Sequence, residues 1–124
     1  MATPNAARLL IADDDPNILA AYALFFTDHG YDVRTAGDGL DALAEYRAWR
    51  PAAAVLDIQM PAMDGRAVAR EIRRQQSSPF PLLVAVSALS SPSEQAESIR
   101  SGFDHHFVKP ADLLVVLATL LPLA

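Results

Sequence analysis

The stretch Arg8-Leu9-Leu10-Ile11-Ala12-Asp13-Asp14-Asp15-Pro16-Asn17 decides how the rest of the chain is read. It joins an apolar run of strand length to an acidic turn, and the turn to a proline suited to the first position of a helix. Strand-length runs followed by helix signals return four more times. Further strand-length runs lie at 31–35, 53–56, 82–86 and 105–108. Runs that are mostly apolar rather than alternating are expected of strands covered on both faces. The run at 31–35 is more amphipathic and belongs nearer an edge. Helix signals separate the runs. The first helix is expected from Pro16, behind an aspartate cap, to near His29, with Gly30 as its left-handed stop. A second follows Asp38-Gly39 to about Trp49, and a third covers about 65–75. Ser91-Pro92-Ser93-Glu94 reads as a capping box opening a short helix that ends before Gly102, and the last helix starts after Pro110. Five strand–helix pairs in 124 residues imply a doubly wound parallel α/β sheet with right-handed crossovers.

Composition narrows the chemistry. A chain of 124 residues is one ordinary domain, large enough to bury a core without metal or disulfide. The sequence holds no cysteine, which removes disulfides, zinc–thiolate sites and thiol catalysis. The formal charge of −5 argues against a nucleic-acid-binding module, which normally carries a basic stripe. The apolar stretch 113–121 is about half of what a bilayer span requires, and residues 1–8 do not resemble a secretion signal. A soluble cytoplasmic single domain is expected, with 1–7 as a flexible tail and a core of about 8–121.

In sheets of this kind ligands bind beyond the carboxyl ends of the strands. Asp13, Asp14 and Asp15 follow the first run, Asp57 the third, Ser87 the fourth and Lys109 the fifth. Clustered carboxylates repel one another unless a cation sits among them, and their hard oxygens select Mg²⁺ or a similar ion. With a lysine beside them, a group bearing several anionic oxygens fits best, and phosphoryl is that group.

The segments 9–16, 55–65 (Val-Leu-Asp-Ile-Gln-Met-Pro-Ala-Met-Asp-Gly), Val86-Ser87-Ala88 and Lys109-Pro110 together resemble the receiver domain of two-component response regulators. Secondary landmarks at 36–43 and 102–104 match as well, so the resemblance spans about 8–121. It implies a (βα)5 three-layer sandwich with a five-stranded parallel sheet of flavodoxin-like order 2-1-3-4-5. It implies that Asp57 is the phosphorylated nucleophile. Mg²⁺ would be held by Asp14, Asp13, Asp57 and the backbone carbonyl of Gln59, with Ser87 and Lys109 contacting phosphoryl oxygens. The implied protein is not an enzyme toward an outside substrate; it assists its own phosphorylation and dephosphorylation. Its partners would be a histidine kinase or histidine phosphotransfer protein and a downstream protein target, with no direct contact to nucleic acid or membrane. A cis Lys109-Pro110 bond is also compatible with the family.

Rival readings were weighed against this one. Asp15, beside Pro16, suits a helix cap. An EF-hand at Asp13 fails because Ile18 replaces the required glycine and Leu24 the terminal glutamate. A haloacid-dehalogenase-like phosphohydrolase would use Asp13 as nucleophile, although Asn17 stands where Thr or Val is usual. The chain also suits the receiver module of a hybrid histidine kinase. His106 stands where the family often has Tyr or Phe, which makes it, with Ser87, a switch candidate. Adjacent His105 and His106 on a strand point to opposite faces and are a poor metal pair. The final helix, 111–121, carries only Asp112 as a charge; either it continues into a longer natural chain or it forms a homodimer or partner surface.

Overall fold

The computed structural model describes residues 6–75 and 79–121, so most of the expected tail (1–5) and the last three residues lie outside the described part. Its elements alternate without exception: β1 (Arg8–Ala12), α1 (Pro16–Asp28), β2 (Asp32–Ala36), α2 (Gly39–Trp49), β3 (Ala53–Leu56), α3 (Gly65–Gln75), β4 (Leu82–Ser87), α4 (Pro92–Ser101), β5 (His105–Val108) and α5 (Leu113–Leu120). All strand pairs are parallel, in the order β2-β1-β3-β4-β5. The expected doubly wound sheet and its 2-1-3-4-5 order are both observed, and β2 is an edge strand.

Because the side chains of a strand alternate, the sheet divides the apolar residues into two cores. Leu10, Ala12, Leu56, Leu83 and Ala85 face α2 and α3, where Tyr46, Val68 and Ile72 cover them. Leu9, Ile11, Val55, Val84 and Val86 face α1 and α5, under Phe26, Val116 and Leu120. The central strands are buried on both faces, which is why they read as continuous apolar runs.

The boundaries differ from expectation at a few points, each with a local cause. The second strand starts one residue late because the Tyr31 N–H donates to the Phe26 carbonyl at 3.1 Å; the buried Tyr31 side chain donates its hydroxyl to the Leu120 carbonyl at 2.9 Å. The last helix starts at Leu113 rather than Ala111, since Asp112 is its cap and accepts the Leu114 N–H. Of the capping box at Ser91, one half forms: Ser91 Oγ accepts the Glu94 N–H, while the Glu94 carboxylate turns to Arg66 at 3.4 Å. The stretch expected to be free is engaged by its end, as the Ala7 carbonyl accepts the Asp32 N–H at 2.9 Å. The apolar helix is only half covered within the chain: Val116, Leu117 and Leu120 are buried, and Leu114 and Val115 are exposed.

The Tyr31–Leu120 bond ties β2's approach to α5, 89 residues away. Tyr31→Phe removes the donor and leaves a buried carbonyl short of a partner, so we expect a loss of about 1 kcal/mol by urea denaturation with an unchanged m-value.

Candidate functional site

The order in which strands are added reverses between β1 and β3, and the crevice at such a switch point lies beyond the carboxyl ends of those strands. Register sets the site. Ala12 pairs with Leu56, and the Asp57 N–H donates to the Ala12 carbonyl at 2.9 Å, so Asp13 and Asp57 leave adjacent strands at the same height. Ser87 pairs with Val108 at the far side, and the Lys109 N–H donates to the Ser87 carbonyl at 2.8 Å. Ser87 is thus the last residue of its strand rather than the first of a loop.

Lys109 crosses the rim. Its ammonium donates to Asp13 Oδ2 at 2.9 Å and to Asp57 Oδ2 at 3.1 Å. Asp57 Oδ1 accepts the Gln59 N–H at 3.3 Å, and Asp13 Oδ1 accepts the Asp15 N–H at 2.9 Å. Asp13 and Asp57 are buried, whereas Asp14 is exposed, and carboxylate oxygens of the three lie within 4.8 Å of one another. The structure therefore brings together Asp13, Asp14, Asp57 and Lys109. Ser87 is fully buried one strand over, its Oγ accepting the Leu89 N–H at 3.2 Å. Asp15 stands apart: its carboxylate caps α1 by accepting the N–H groups of Asn17 and Ile18. Asp15 is thus committed to the helix and does not form an acid–base pair with Asp13, and no observation favours the phosphohydrolase reading.

His105 and His106 do point to opposite faces. His105 stacks near Phe107 at 6.1 Å between centroids, and Phe107 packs in the core under α1 and α5. His106 faces α4, its ring nitrogens 2.8 Å from Ser98 Oγ and 2.7 Å from the Leu89 carbonyl. The Lys109-Pro110 bond is cis.

The electrostatics follow from burial. Lys109 pairs with Asp13 and Asp57, and the Asp14 carboxylate lies beside them, so three carboxylates cluster around one ammonium, a set that suits a divalent cation. Burial pushes the Asp57 carboxyl up from its ordinary value; Lys109 and the Gln59 N–H pull it down, and Asp13 adds repulsion. For Lys109, burial works against the charge, but the hydrogen bonds and charges of Asp13 and Asp57 outweigh it and raise the ammonium above its ordinary value. The two groups have opposite linkage. Ionised Asp57 costs stability at neutral pH, a cost that vanishes as pH falls through its raised value. Lys109 stabilises at neutral pH and loses that contribution as pH climbs through its own raised value. Since burial is the largest influence at Asp57, Asp57→Asn is expected to melt higher than the wild-type chain at pH 7. The gap should close as pH is lowered towards the ordinary carboxylate range, where both side chains are neutral.

Two features, at Tyr22 and at Arg66 and Ser98, escaped sequence reasoning, and a third, the close packing of two glycines, was read only in outline. Tyr22 on α1 lines a cleft of about 400 Å³ with Ile18, Leu113, Lys109 and Pro110; burial raises its phenol, with Lys109 opposing and Asp13 and Asp57 adding to the rise. Gly39 and Gly65 grip the loop that follows Asp57. A Cβ on Gly65 would lie 2.2 Å from the Asp57 carbonyl oxygen, and one on Gly39 would lie 1.7 Å from that of Met63. Arg66 and Ser98 stand behind His106. Only the glycines left a trace in the sequence, as punctuation at helix starts.

Comparison with known proteins agrees with this geometry. The family description "Response regulator receiver domain" matches residues 9–120. "Transcriptional regulatory protein PrrA" of Mycobacterium leprae is 36% identical over 114 residues, covering 92% of this chain and 48% of that protein. The chain spans about half the length of the curated relatives it matches. Among solved structures, the receiver domain of Francisella response regulator 1452 superposes with a TM-score of 0.87 at 28% identity, covering 94% of this chain and 95% of that one. The CheX-CheY-BeF3-Mg²⁺ complex of Borrelia burgdorferi gives 0.84 at 27% identity, with 94% and 87% covered.

Proposed function

The chain belongs to the response regulator receiver domain family of two-component signalling, and from that premise we propose that Asp57 accepts a phosphoryl group and that the domain signals by the resulting change of shape. The observation that carries this is the single ammonium of Lys109 bonded to both Asp13 and Asp57 at the sheet's switch point.

A carboxylate attacking an anionic phosphoryl group works against charge repulsion, so the site must neutralise the oxygens of the group in flight. Asp57 supplies the oxygen that forms the new O–P bond. The P–N bond of a donor phosphohistidine breaks, and its electron pair stays with the donor imidazole. Lys109 shifts from carboxylate to phosphoryl oxygen, and Ser87 donates its hydroxyl hydrogen to another. Asp13, Asp14, Asp57 and the Gln59 backbone carbonyl would hold Mg²⁺, which when bound supplies further neutralisation of the phosphoryl oxygens. The donor is a histidine kinase or histidine phosphotransfer protein. The product is an acyl phosphate, which the same pocket returns to carboxylate through attack by water. The signal leaves by protein contact, His106 and Ser87 acting as the switch and the exposed side of α5 as the surface for a downstream target or a second copy. A cytoplasmic setting fits this role, and among the described residues no helix is long and apolar enough to cross a membrane. Residues 1–124 act as one receiver unit.

The direct test is intact mass after incubation with acetyl phosphate and Mg²⁺. One phosphoryl adduct per chain is expected, and its absence would refute the proposal. The metal site has its own test. At a hundredfold excess over Kd, Mg²⁺ should stabilise the native protein by about 2.7 kcal/mol in thermal melts. Asp14→Asn should remove most of that gain, because the exposed carboxylate has no other partner in the cluster to preserve.

A further inference from the structure

His106 is held by hydrogen bonds rather than by packing alone. A carbonyl only accepts, so Nε2 carries a hydrogen and donates it to the Leu89 carbonyl at 2.7 Å. The other nitrogen, Nδ1, meets Ser98 Oγ at 2.8 Å. Ser98 is fully buried on α4. Its oxygen lies 3.2 Å from the Glu94 carbonyl and accepts from Arg66 Nε at 3.3 Å. Arg66, on α3, is fixed in turn: its Nη2 donates to the Glu94 carbonyl at 2.6 Å and faces the Glu94 carboxylate at 3.4 Å. On the other side, Leu89 donates its N–H to Ser87 Oγ. An unbroken chain of polar contacts thus runs from Ser87 at the rim, through Leu89, His106 and Ser98, to Arg66 on the neighbouring helix.

An aromatic hydrocarbon ring could be held there by volume alone. An imidazole cannot, because two half-buried nitrogens need partners wherever the ring sits. We propose that Ser98 and Arg66 are positioning residues for His106: they hold the imidazole inward against the Leu89 carbonyl, so that the α3–α4 contact sets the resting position of the loop that follows Ser87. The proposal rests on the reading of Ser87 and His106 as the switch. It extends that reading to two residues on helices that never reach the pocket.

The test is a double-mutant cycle read in two ways. In the unphosphorylated protein, NMR of the His106 ring should show the Nε2–H tautomer and nuclear Overhauser contacts to Ser98 and Leu89. Ser98→Ala should abolish those contacts and average the ring, and Arg66→Gln should weaken them. In the second reading, adduct formation from acetyl phosphate should slow roughly three- to tenfold in Ser98→Ala, the scale of a lost preorganising contact. In a His106→Phe background, where no ring nitrogen needs a partner, adding Ser98→Ala should change the rate less than twofold. Retention of the ring contacts in Ser98→Ala would overturn the proposal. So would an equal slowing by Ser98→Ala in both backgrounds, which would mark a merely structural role. The ring contacts are measured without any phosphodonor, so failure of phosphoryl acceptance itself would be seen separately, as an absent wild-type adduct.

Discussion

Asp57→Asn incubated with acetyl phosphate and Mg²⁺ gains no phosphoryl adduct, while the wild-type chain gains one; this is the largest effect expected of any single substitution. The amide nitrogen lone pair is delocalised and the amide oxygen is a weak nucleophile, so the loss should be complete within the sensitivity of intact mass measurement. The fold should survive, since Asn keeps the volume and can still accept the Gln59 N–H that Asp57 Oδ1 now takes. Asp13→Asn separates the two uses of this acidic rim. If Asp57 is the acceptor, Asp13→Asn slows adduct formation but leaves it on Asp57, because Asp13 contributes charge and a Lys109 contact. If Asp13 were the nucleophile, the pattern would invert, with turnover of a phosphomonoester lost in Asp13→Asn and kept in Asp57→Asn. Peptide mapping of the adduct decides between them.

The second large effect is expected at Gly65. Replacing a glycine by alanine near a helix start ordinarily gains up to about 1 kcal/mol, because the unfolded chain loses freedom. Here the added carbon would meet the Asp57 carbonyl oxygen at 2.2 Å and the Ile58 Cα at 2.9 Å, and both are backbone atoms. A contact that short must be relieved by moving the loop, at a cost of roughly 1–3 kcal/mol that reverses the sign. The movement falls on Asp57, the proposed phosphoryl acceptor. We therefore expect Gly65→Ala to lose stability in denaturant and to slow adduct formation by on the order of 10- to 100-fold, as misplacing a reacting group by about 1 Å does. A stable variant with wild-type kinetics would show that the loop tolerates the carbon.

Much of this architecture was legible in the order of residues, for identifiable reasons. The strands were readable because both faces are buried, so Leu9 through Ala12 and Ala53 through Leu56 carry no polar interruption. Reading the residue after each run then located Asp13, Asp57 and Lys109, since parallel strands end at a common rim. Aspartate capping was readable at Asp15, whose side chain accepts the N–H groups two and three residues on. Tertiary contacts were not readable. Arg66 and Ser98 are 32 residues apart and sit on helices whose polar positions look like ordinary solvent-facing ones. Tyr22 meets Lys109 across 87 positions, and nothing in the spacing of α1 marks it. The start of α5 was misplaced because Pro110 is a stronger visible signal than Asp112, although the aspartate is the true cap.

The sheet that splits the core also insulates. Leu9 and Leu10 are neighbours in sequence yet belong to different packed halves, and the sheet's own backbone stands between them. A truncation on one side leaves a void that the other side cannot fill, so paired substitutions across the sheet should add nearly independently. The same partition separates two surface features. The His106–Ser98–Arg66 chain speaks to the α3–α4 half, while the cleft at Tyr22 and Lys109 opens on the α1–α5 half. Substitutions confined to one packed half should therefore leave the packing of the other unchanged.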